Sequence, residues 1–261
     1  MNASPAFELE GVGLTLGGRR VLVGVDLRLE AGERVAVIGP SGAGKTSLLR
    51  LMAGFQWPTL GRVRALGRDT RCLRGAQLRE LRRGIGLLYQ DDNLIAPLRV
   101  VHNVLAGQLG RWWTPRALLS LFWPQDIGRA RDALSEVELA ERLWDLPDTL
   151  SGGEKQRVAI ARLIVQEPRA LLADEPASSL DHRLGREVME TLIRIARERE
   201  STLVVSMHTL DLIGEGFGRV LALRDGELFW QGPPRELTRE LLREIYGAEY
   251  QRLELGEVEI P

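Results

Sequence analysis

The sequence has few of the features that mark disulfide-bonded, membrane-spanning or secreted proteins. It has one cysteine, Cys72, among 261 residues, which excludes an intramolecular disulfide and favours a buried or inert thiol. No segment approaches the roughly 18 apolar residues of a membrane-spanning helix. The start MNASPAFELE also lacks the basic and apolar stretches of a secretion signal. We therefore expect a cytoplasmic protein that reaches a membrane only through another chain.

The chain also lacks a net charge of either sign. Its 35 basic and 36 acidic residues give a formal charge of −1, so there is no overall field that would attract nucleic acid, and we expect no such partner. The cluster of Arg79, Arg82 and Arg83 is typical of a solvated helix face. Hydrophobic residues make up 44% of the chain, which is enough for a sizeable core.

Strand patterns dominate the first part of the chain. Residues 7 to 30 alternate, with Val25, Leu27 and Leu29 on one face, which predicts a small antiparallel sheet. A continuous apolar strand, 34–38, then runs into a glycine-rich turn and a helix whose end is predicted at Gly54.

The later part alternates helices and buried strands. Prolines interrupt helical patterns between residues 88 and 165. The segments 170–173 and 203–206 have the pattern of buried strands and are joined by an amphipathic helix. Such a crossover implies a parallel sheet. The pair Asp225-Gly226 between two short strands predicts a hairpin, because both residues tolerate positive φ.

A complete GxxxxGK[ST] phosphate loop stands between the strand 34–38 and the next helix. The expected phosphate contacts are its eight residues and the one that follows: Gly39, Pro40, Ser41, Gly42, Ala43, Gly44, Lys45, Thr46 and Ser47. Glycines let the backbone N–H groups and the helix N-terminus face phosphate oxygens. Lys45 neutralises the β- and γ-phosphate charge, and Thr46 offers its hydroxyl to Mg²⁺. The agreement of motif and context outweighs the alternative of a purely structural glycine turn.

Two acids follow the apolar run 170–173. Asp174 and Glu175 would lie at the carboxyl end of a buried strand, where α/β sheets gather their ligands. We expect Asp174 to hold Mg²⁺ through water and Glu175 to polarise the water that attacks phosphate. An isolated acidic pair would be better explained by surface exposure, but the upstream phosphate loop favours a catalytic site.

The segment LSGGEKQ, 150–156, opens a helix. Ser151 and Glu154 fit a capping box. Capping does not explain the consecutive glycines Gly152 and Gly153, which lower helix propensity but leave bare N–H groups for an anion. We therefore predict a second phosphate contact here.

These patterns together predict an α/β fold with a phosphate-loop NTPase core. The core has a parallel sheet and an antiparallel β-subdomain and comprises residues 1–87 and 166–232. An inserted α-helical subdomain covers 88–165, and a C-terminal helix and tail cover 233–261, all within one ATPase domain.

The phosphate loop, LSGGE, ADEP and a later histidine occur in an order that resembles the nucleotide-binding domain of ABC transporters over nearly the whole chain. The resemblance implies that Ser151, Gly152 and Gly153 of one copy contact ATP held by the phosphate loop of a second copy. Two subunits would then sandwich two nucleotides, and monomers would be largely inactive. It also implies that Gln90 touches Mg²⁺ and the water and relays to a transmembrane partner, and that His208 contacts the γ-phosphate.

Within this family, the stretch HNVLAGQLGR at 102–111, the helical insert after it, and Glu244-Ile245-Tyr246-Gly247 look most like the ATPases of phosphonate importers. This resemblance implies two integral-membrane permease subunits as partners and, through them, a periplasmic or lipid-anchored solute-binding protein. The chain would work at the cytoplasmic face of the inner membrane. Two alternatives share the catalytic motifs: an exporter ATPase, and an ATPase of a soluble phosphonate-breakdown complex.

One residue departs from the family pattern, and one apolar stretch allows two interpretations. Leu16 stands where the family usually has an aromatic residue that stacks on adenine. The apolar stretch after Arg111 either packs the helical subdomain or lines a groove for a partner's helix; it consists of Trp112, Trp113, Leu118, Leu119, Leu121, Phe122 and Trp123.

Overall fold

Ten strands and seven α-helices form within the part of the chain that the computed structural model describes, residues 4–89, 93–112, 119–120, 123–207, 213 and 216–250. The strands are β1 (Phe7–Leu16), β2 (Arg19–Leu29), β3 (Arg34–Ile38), β4 (Leu60–Ala65), β5 (Arg68–Asp69), β6 (Ile85–Leu88), β7 (Ala170–Asp174), β8 (Thr202–Ser206), β9 (Arg219–Arg224) and β10 (Glu227–Gly232). The helices are α1 (Lys45–Met52), α2 (Gly75–Arg83), α3 (Val100–Leu105), α4 (Ile127–Ser135), α5 (Gly152–Gln166), α6 (His182–Glu198) and α7 (Arg239–Tyr246).

The predicted antiparallel sheet is present, in the order β2-β1-β4-β5. Val25, Leu27 and Leu29 of β2 are all buried, as their alternation predicts. Their burial places the sheet over the core that also covers α1.

A second sheet has the order β10-β9-β3-β8-β7-β6, and the pairs from β9 to β6 are all parallel. Val35 and Val37 of β3 pack into the core on one face, and Ala36 and Ile38 pack into the core on the other. Both faces are covered, which explains why the strand sequence is continuously apolar. The predicted hairpin joins β9 to β10 through Asp225 and Gly226, whose φ angles are +52° and +83°.

The end of α1 also follows the sequence signal. Gly54 has φ +69°, and the N–H groups of Gly54 and Phe55 donate to the carbonyls of Leu51 and Arg50 at 3.1 and 2.9 Å. This Schellman arrangement satisfies carbonyl groups that have no partner within the helix. The start of α7 is fixed by a polar N-cap residue, since the Thr238 hydroxyl accepts the Leu241 N–H.

Helices α3, α4 and α5 lie between β6 and β7 in sequence and contact one another. Trp112 packs against their core, as the packing interpretation predicts. That interpretation is wrong for Leu119 and Trp123, which are 50% and 69% exposed. The other four residues of the stretch, Trp113, Leu118, Leu121 and Phe122, lie outside the described residues.

Two smaller expectations need correction. Cys72 is exposed rather than buried, because it lies in a 3-10 turn on the surface. Arg79 and Arg83 are solvated as predicted, but Arg82 packs over the Phe55 ring at 4.3 Å and donates to the Gly54 carbonyl. None of the helices in the described ranges combines the length and the apolar character needed to cross a membrane.

Candidate functional site

Three parallel strands end together at one edge of the large sheet. Ser206 of β8 is in register with Val37 of β3 and with Asp174 of β7. The loop that follows each strand therefore starts at the same edge, where ligands of α/β proteins bind. The local sequence determines where each strand forms, and the register between the strands brings the residues at their carboxyl ends together.

The phosphate loop follows β3 in a conformation that only glycine allows at two places. Gly39 has φ +143°, and a Cβ built there would lie 2.1 Å from the Leu223 carbonyl oxygen. Gly44 has φ +103°, and its Cβ would lie 2.7 Å from the Leu22 side chain. The backbone thus curls closely against its own neighbours, which leaves its N–H groups to form a cradle for phosphate.

The remaining residues of the loop divide into an outer and an inner part. Ser41 and Gly42 are exposed, whereas Ala43 is buried and donates its N–H to the Pro40 carbonyl at 3.1 Å. Thr46 and Ser47, in the first turn of α1, are partly buried. The outer loop is open to a ligand, and the inner part is fixed by packing.

The Lys45 side chain is buried inside the loop, with 4% of its surface exposed. Its Nζ donates to the carbonyls of Gly39 and Pro40 at 2.8 and 3.2 Å, and lies 3.8 Å from Oε1 of Glu175. Burial lowers the pKa of Lys45, and the carboxylates of Glu175, Asp174 and Glu249 oppose this effect. The ammonium group is therefore held where it can meet an anion in the loop.

Thr46 and Asp174 form a set of oxygen ligands beside Lys45. The Thr46 hydroxyl donates to Oδ1 of Asp174 at 3.1 Å, and the Ser206 hydroxyl donates to the same oxygen at 2.7 Å. Hydroxyl and carboxylate oxygens are the hard donors that Mg²⁺ takes, and Mg²⁺ at a phosphate site needs few protein ligands. The donor chemistry fits Mg²⁺.

Glu175 turns away from β7 through a strained backbone. Its φ is +51°, in the left-handed region that is uncommon for a residue with a side chain. Its N–H donates both to Oγ and to the carbonyl oxygen of Ser206, at 3.0 and 3.1 Å. This turn separates the two neighbouring acids, so that Asp174 meets Thr46 and Glu175 approaches Lys45.

Ser206 has a role that our sequence analysis missed. It is fully buried and contacts both Asp174 and Glu175. The available signal is a hydroxyl residue directly after the apolar run 203–205 of a buried strand. A buried polar side chain needs a partner, and the acids at the end of β7 are the obvious candidates once the strands are aligned.

We expect Ser206→Ala to raise the Mg²⁺ concentration needed for half-maximal activity by about tenfold, because the Asp174 carboxylate loses the group that orients it. Ser201→Ala is the matched control, since Ser201 is also buried and donates to the Pro168 carbonyl at 2.8 Å. Both variants should lose thermal stability, measured by calorimetry, but only Ser206→Ala should change the Mg²⁺ requirement. An equal requirement in both variants would contradict the positioning role.

The segment LSGGE begins α5 as predicted. The Ser151 hydroxyl accepts the Glu154 N–H at 3.3 Å, and the Glu154 carboxylate accepts the Ser151 N–H at 2.8 Å. This backbone hydrogen bond is the main cause of the lowered pKa of Glu154. The capping box is thus complete, and Ser151 and Gly152 are exposed at the start of the helix.

A further contact ties α5 to the acidic edge. The buried Gln156 donates from Nε2 to the carbonyl of Pro176, one residue after Glu175, at 2.9 Å. The LSGGEKQ pattern includes Gln156 but does not predict this contact. Two predicted site residues, Gln90 and His208, lie outside the described residues.

The C-terminal segment also reaches the phosphate loop, which the sequence did not indicate. The Gly39 N–H donates to the hydroxyl of Tyr246 at 3.3 Å, and the Ser41 N–H donates to Oε2 of Glu249 at 3.1 Å. The Ser41 amide of the loop therefore donates to an anionic oxygen of the chain itself.

Comparisons with known proteins agree with this geometry. A family model described as ABC transporter matches residues 22–178. The phosphonates import ATP-binding protein PhnC 1 of Pseudomonas aeruginosa is 45% identical over 250 residues, covering 95% of this chain and 94% of that protein. PhnC 2 of Haloarcula marismortui is 42% identical over 229 residues, covering 88% of this chain and 84% of that protein.

Solved structures show the same fold. An ATP-binding cassette solved as a dimer in a post-hydrolysis state with ADP and Pi is 31% identical, with a TM-score of 0.75. The match covers 88% of this chain and 100% of that one. A bacterial Atm1-family ABC exporter with ATP bound is 28% identical, with a TM-score of 0.76; 98% of this chain covers 42% of that one. The family match, the relatives and the phosphate-loop geometry lead to one conclusion: the chain belongs to the ABC transporter family, as an ATP-binding subunit that hydrolyses ATP.

Proposed function

We propose that this ATPase powers the import of phosphonate or a related small oxyanion. The observation that carries the proposal is the identity of 42–45% over most of the chain to proteins named as phosphonates import ATP-binding proteins. The exporter has the same fold, with a TM-score of 0.76, but is only 28% identical to this chain. The fold therefore supports an ABC ATPase in general, and the sequence favours the importer.

ATP hydrolysis would proceed by attack of water on the γ-phosphate. The loop amides and Lys45 bind the phosphates, and the Glu175 carboxylate orients and polarises the water. Thr46, Asp174 and Gln90 would hold Mg²⁺, which supplies positive charge to the β- and γ-phosphates when it is bound. His208 would contact the γ-phosphate, as the family resemblance implies. Positioning and electrostatics, rather than covalent chemistry, account for the rate.

The active unit would be a dimer with two shared ATP sites, in which the LSGGE segment of one copy covers the phosphate loop of the other. Gly152 supports this arrangement. Among the described residues, a Cβ there would meet only the Leu180 side chain, at an ordinary 3.6 Å, so the packing of this part of the chain does not require glycine. Gly152 is nevertheless exposed at a helix N-terminus, where a bare N–H can meet the partner's nucleotide.

The resemblance to the ABC transporter family implies that the segment Ser179-Leu180-Asp181 contributes to the same interface. In this chain the Asp181 carboxylate accepts the Leu184 N–H and starts α6, while Leu180 lies beside Gly152. The loop that follows Glu175 is thus attached to the surface that carries LSGGE. A movement of one copy relative to the other would therefore shift the loop that follows Glu175.

The proposed assembly has two integral-membrane permease subunits on the dimer, at the cytoplasmic face of the inner membrane. A periplasmic or lipid-anchored binding protein would deliver the solute to them. Affinity purification of the tagged chain from detergent-solubilised membranes tests this assembly. Recovery of an integral-membrane partner supports the importer, and recovery in a soluble complex of phosphonate-degrading enzymes contradicts it.

Leu16 provides a test of the base site. It is 43% exposed at the end of β1, and an aliphatic side chain lacks the π-face that stacks on adenine. Aromatic pairing adds roughly 0.5 to 1.5 kcal/mol, so Leu16→Tyr should tighten ATP binding by about two- to tenfold. Titration with a fluorescent ATP analogue measures the change.

Leu109→Tyr is the control for that substitution, because Leu109 is 37% exposed in the helical part of the chain. It should leave ATP affinity unchanged. Unchanged or weaker affinity in Leu16→Tyr would instead indicate that another residue, such as Arg19 or Arg20, already covers the base.

A further inference from the structure

The C-terminal helix α7 is held firmly against the rest of the protein. Leu242, Ile245, Tyr246 and Tyr250 are each at most 5% exposed. Arg224 donates to the carbonyl of Glu244 at 2.7 Å near the end of the helix. The segment up to residue 250 is therefore a packed part of the structure.

Tyr246 places this segment on the phosphate loop. Its hydroxyl oxygen accepts the N–H of Gly39, the first residue of the loop. Burial is the main cause that raises the pKa of Tyr246, to about 12, so the hydroxyl keeps its proton at neutral pH. The contact is a neutral one and fixes the distance between α7 and the loop.

Glu249 lies three residues further on, at the end of the 3-10 turn Gly247–Glu249. Its Oε2 accepts the N–H of Ser41 at 3.1 Å. Because Tyr246 and Tyr250 on either side are buried, the backbone that carries Glu249 has a defined position. The carboxylate therefore reaches the exposed, outer part of the loop from a rigid support.

The contact uses a group that phosphate also needs. Backbone N–H groups of this motif bind phosphate oxygens, and a carboxylate on one of them has the charge sign of the ligand. Glu249 also interacts electrostatically with Lys45, the residue that meets the β- and γ-phosphates in this motif. A phosphate oxygen and Glu249 compete for the same donor and the same cation.

We propose that Glu249 is an internal competitor of ATP, which lowers the affinity of the phosphate loop for nucleotide and must leave Ser41 when the phosphates bind. The inference rests on the proposed binding of the ATP phosphates by this loop. It assigns to the C-terminal segment a direct effect on the ATP concentration at which the motor works. Since Tyr246 and Tyr250 anchor the backbone on either side of Glu249, the carboxylate leaves Ser41 by movement of its side chain.

The test compares Glu249→Gln with the wild-type chain. Glutamine keeps the size of the side chain and an oxygen for the Ser41 N–H, but it removes the negative charge. We expect ATP to bind about three- to tenfold more tightly, which is the size of the difference between a hydrogen bond to a charged acceptor and one to a neutral acceptor. The KM for ATP should fall by the same factor, whereas kcat should not share the change, because the carboxylate has already left the loop in the ATP complex.

Glu244→Gln is the matched control. It removes the same charge from the same segment at an exposed position and should leave the affinity unchanged. Glu249→Ala should act like Glu249→Gln, since both remove the competing charge. Equal or weaker ATP binding by both Glu249 variants, relative to Glu244→Gln, would overturn the inference.

Lys45→Ala shows whether a negative result contradicts only the competitor role of Glu249 or also the binding of ATP by the phosphate loop. If Lys45→Ala weakens ATP binding while the Glu249 variants resemble Glu244→Gln, the phosphate loop binds ATP and only the competitor role is wrong. If Lys45→Ala leaves ATP binding intact, the assignment of the phosphates to this loop is itself contradicted.

Discussion

Glu175→Gln is expected to lower the ATPase turnover of this protein by at least about 100-fold, the usual contribution of a positioned general base. Glutamine preserves the shape of the side chain but cannot take up a proton from the attacking water. The φ of +51° and the contact with Ser206 hold the backbone in place, so the site stays formed. ATP binding should therefore survive, and the variant should accumulate as an ATP-bound dimer in size-exclusion chromatography.

Glu190→Gln is a suitable control, because Glu190 is an exposed carboxylate on α6. It should turn over ATP like the wild-type chain and show no stable dimer. Turnover of Glu175→Gln close to that of the control would remove Glu175 from the proposed chemistry.

The second large effect concerns the shared site. Lys45→Ala and Ser151→Arg should each abolish most ATPase activity, because each homodimer carries the lesion in both of its sites. A heterodimer of the two chains has one doubly damaged site and one intact site. Random mixing of equal amounts should therefore restore up to about a quarter of the wild-type activity, if dimers exchange freely and sites act independently.

A mixture of Lys45→Ala with Asp174→Asn is the control for that experiment. Both lesions lie on the phosphate-loop side, so every site in the heterodimer is damaged and activity should stay absent. Recovery in this control, or the lack of recovery in the first mixture, would contradict binding of one nucleotide by two copies.

The parts of the site that could be predicted from the sequence are those encoded by short segments. The phosphate loop needs glycine at positions 39 and 44, because the backbone there has a positive φ and other atoms approach it closely. The pattern of the loop can therefore be recognised in the sequence. The same is true of the capping box of Ser151 and Glu154 and of the hairpin after β9.

The parts that could not be predicted depend on contacts between distant segments. Ser206 meets Asp174 through the register of two strands, 32 positions apart in sequence, and Glu249 meets Ser41 across 208 positions. No local pattern records such a pairing. Trp123 shows the opposite problem: a large apolar side chain predicts burial, but the side chain is mostly exposed here.

The role of this chain in transport is tested most directly by uptake of a radiolabelled phosphonate, in cells that lack the chain and receive it back on a plasmid. We expect the wild-type chain to restore uptake and Glu175→Gln, present at the same level in the membrane fraction, to leave it absent. Uptake that proceeds at the wild-type rate with Glu175→Gln, or without the chain, would contradict its role as the motor of phosphonate import.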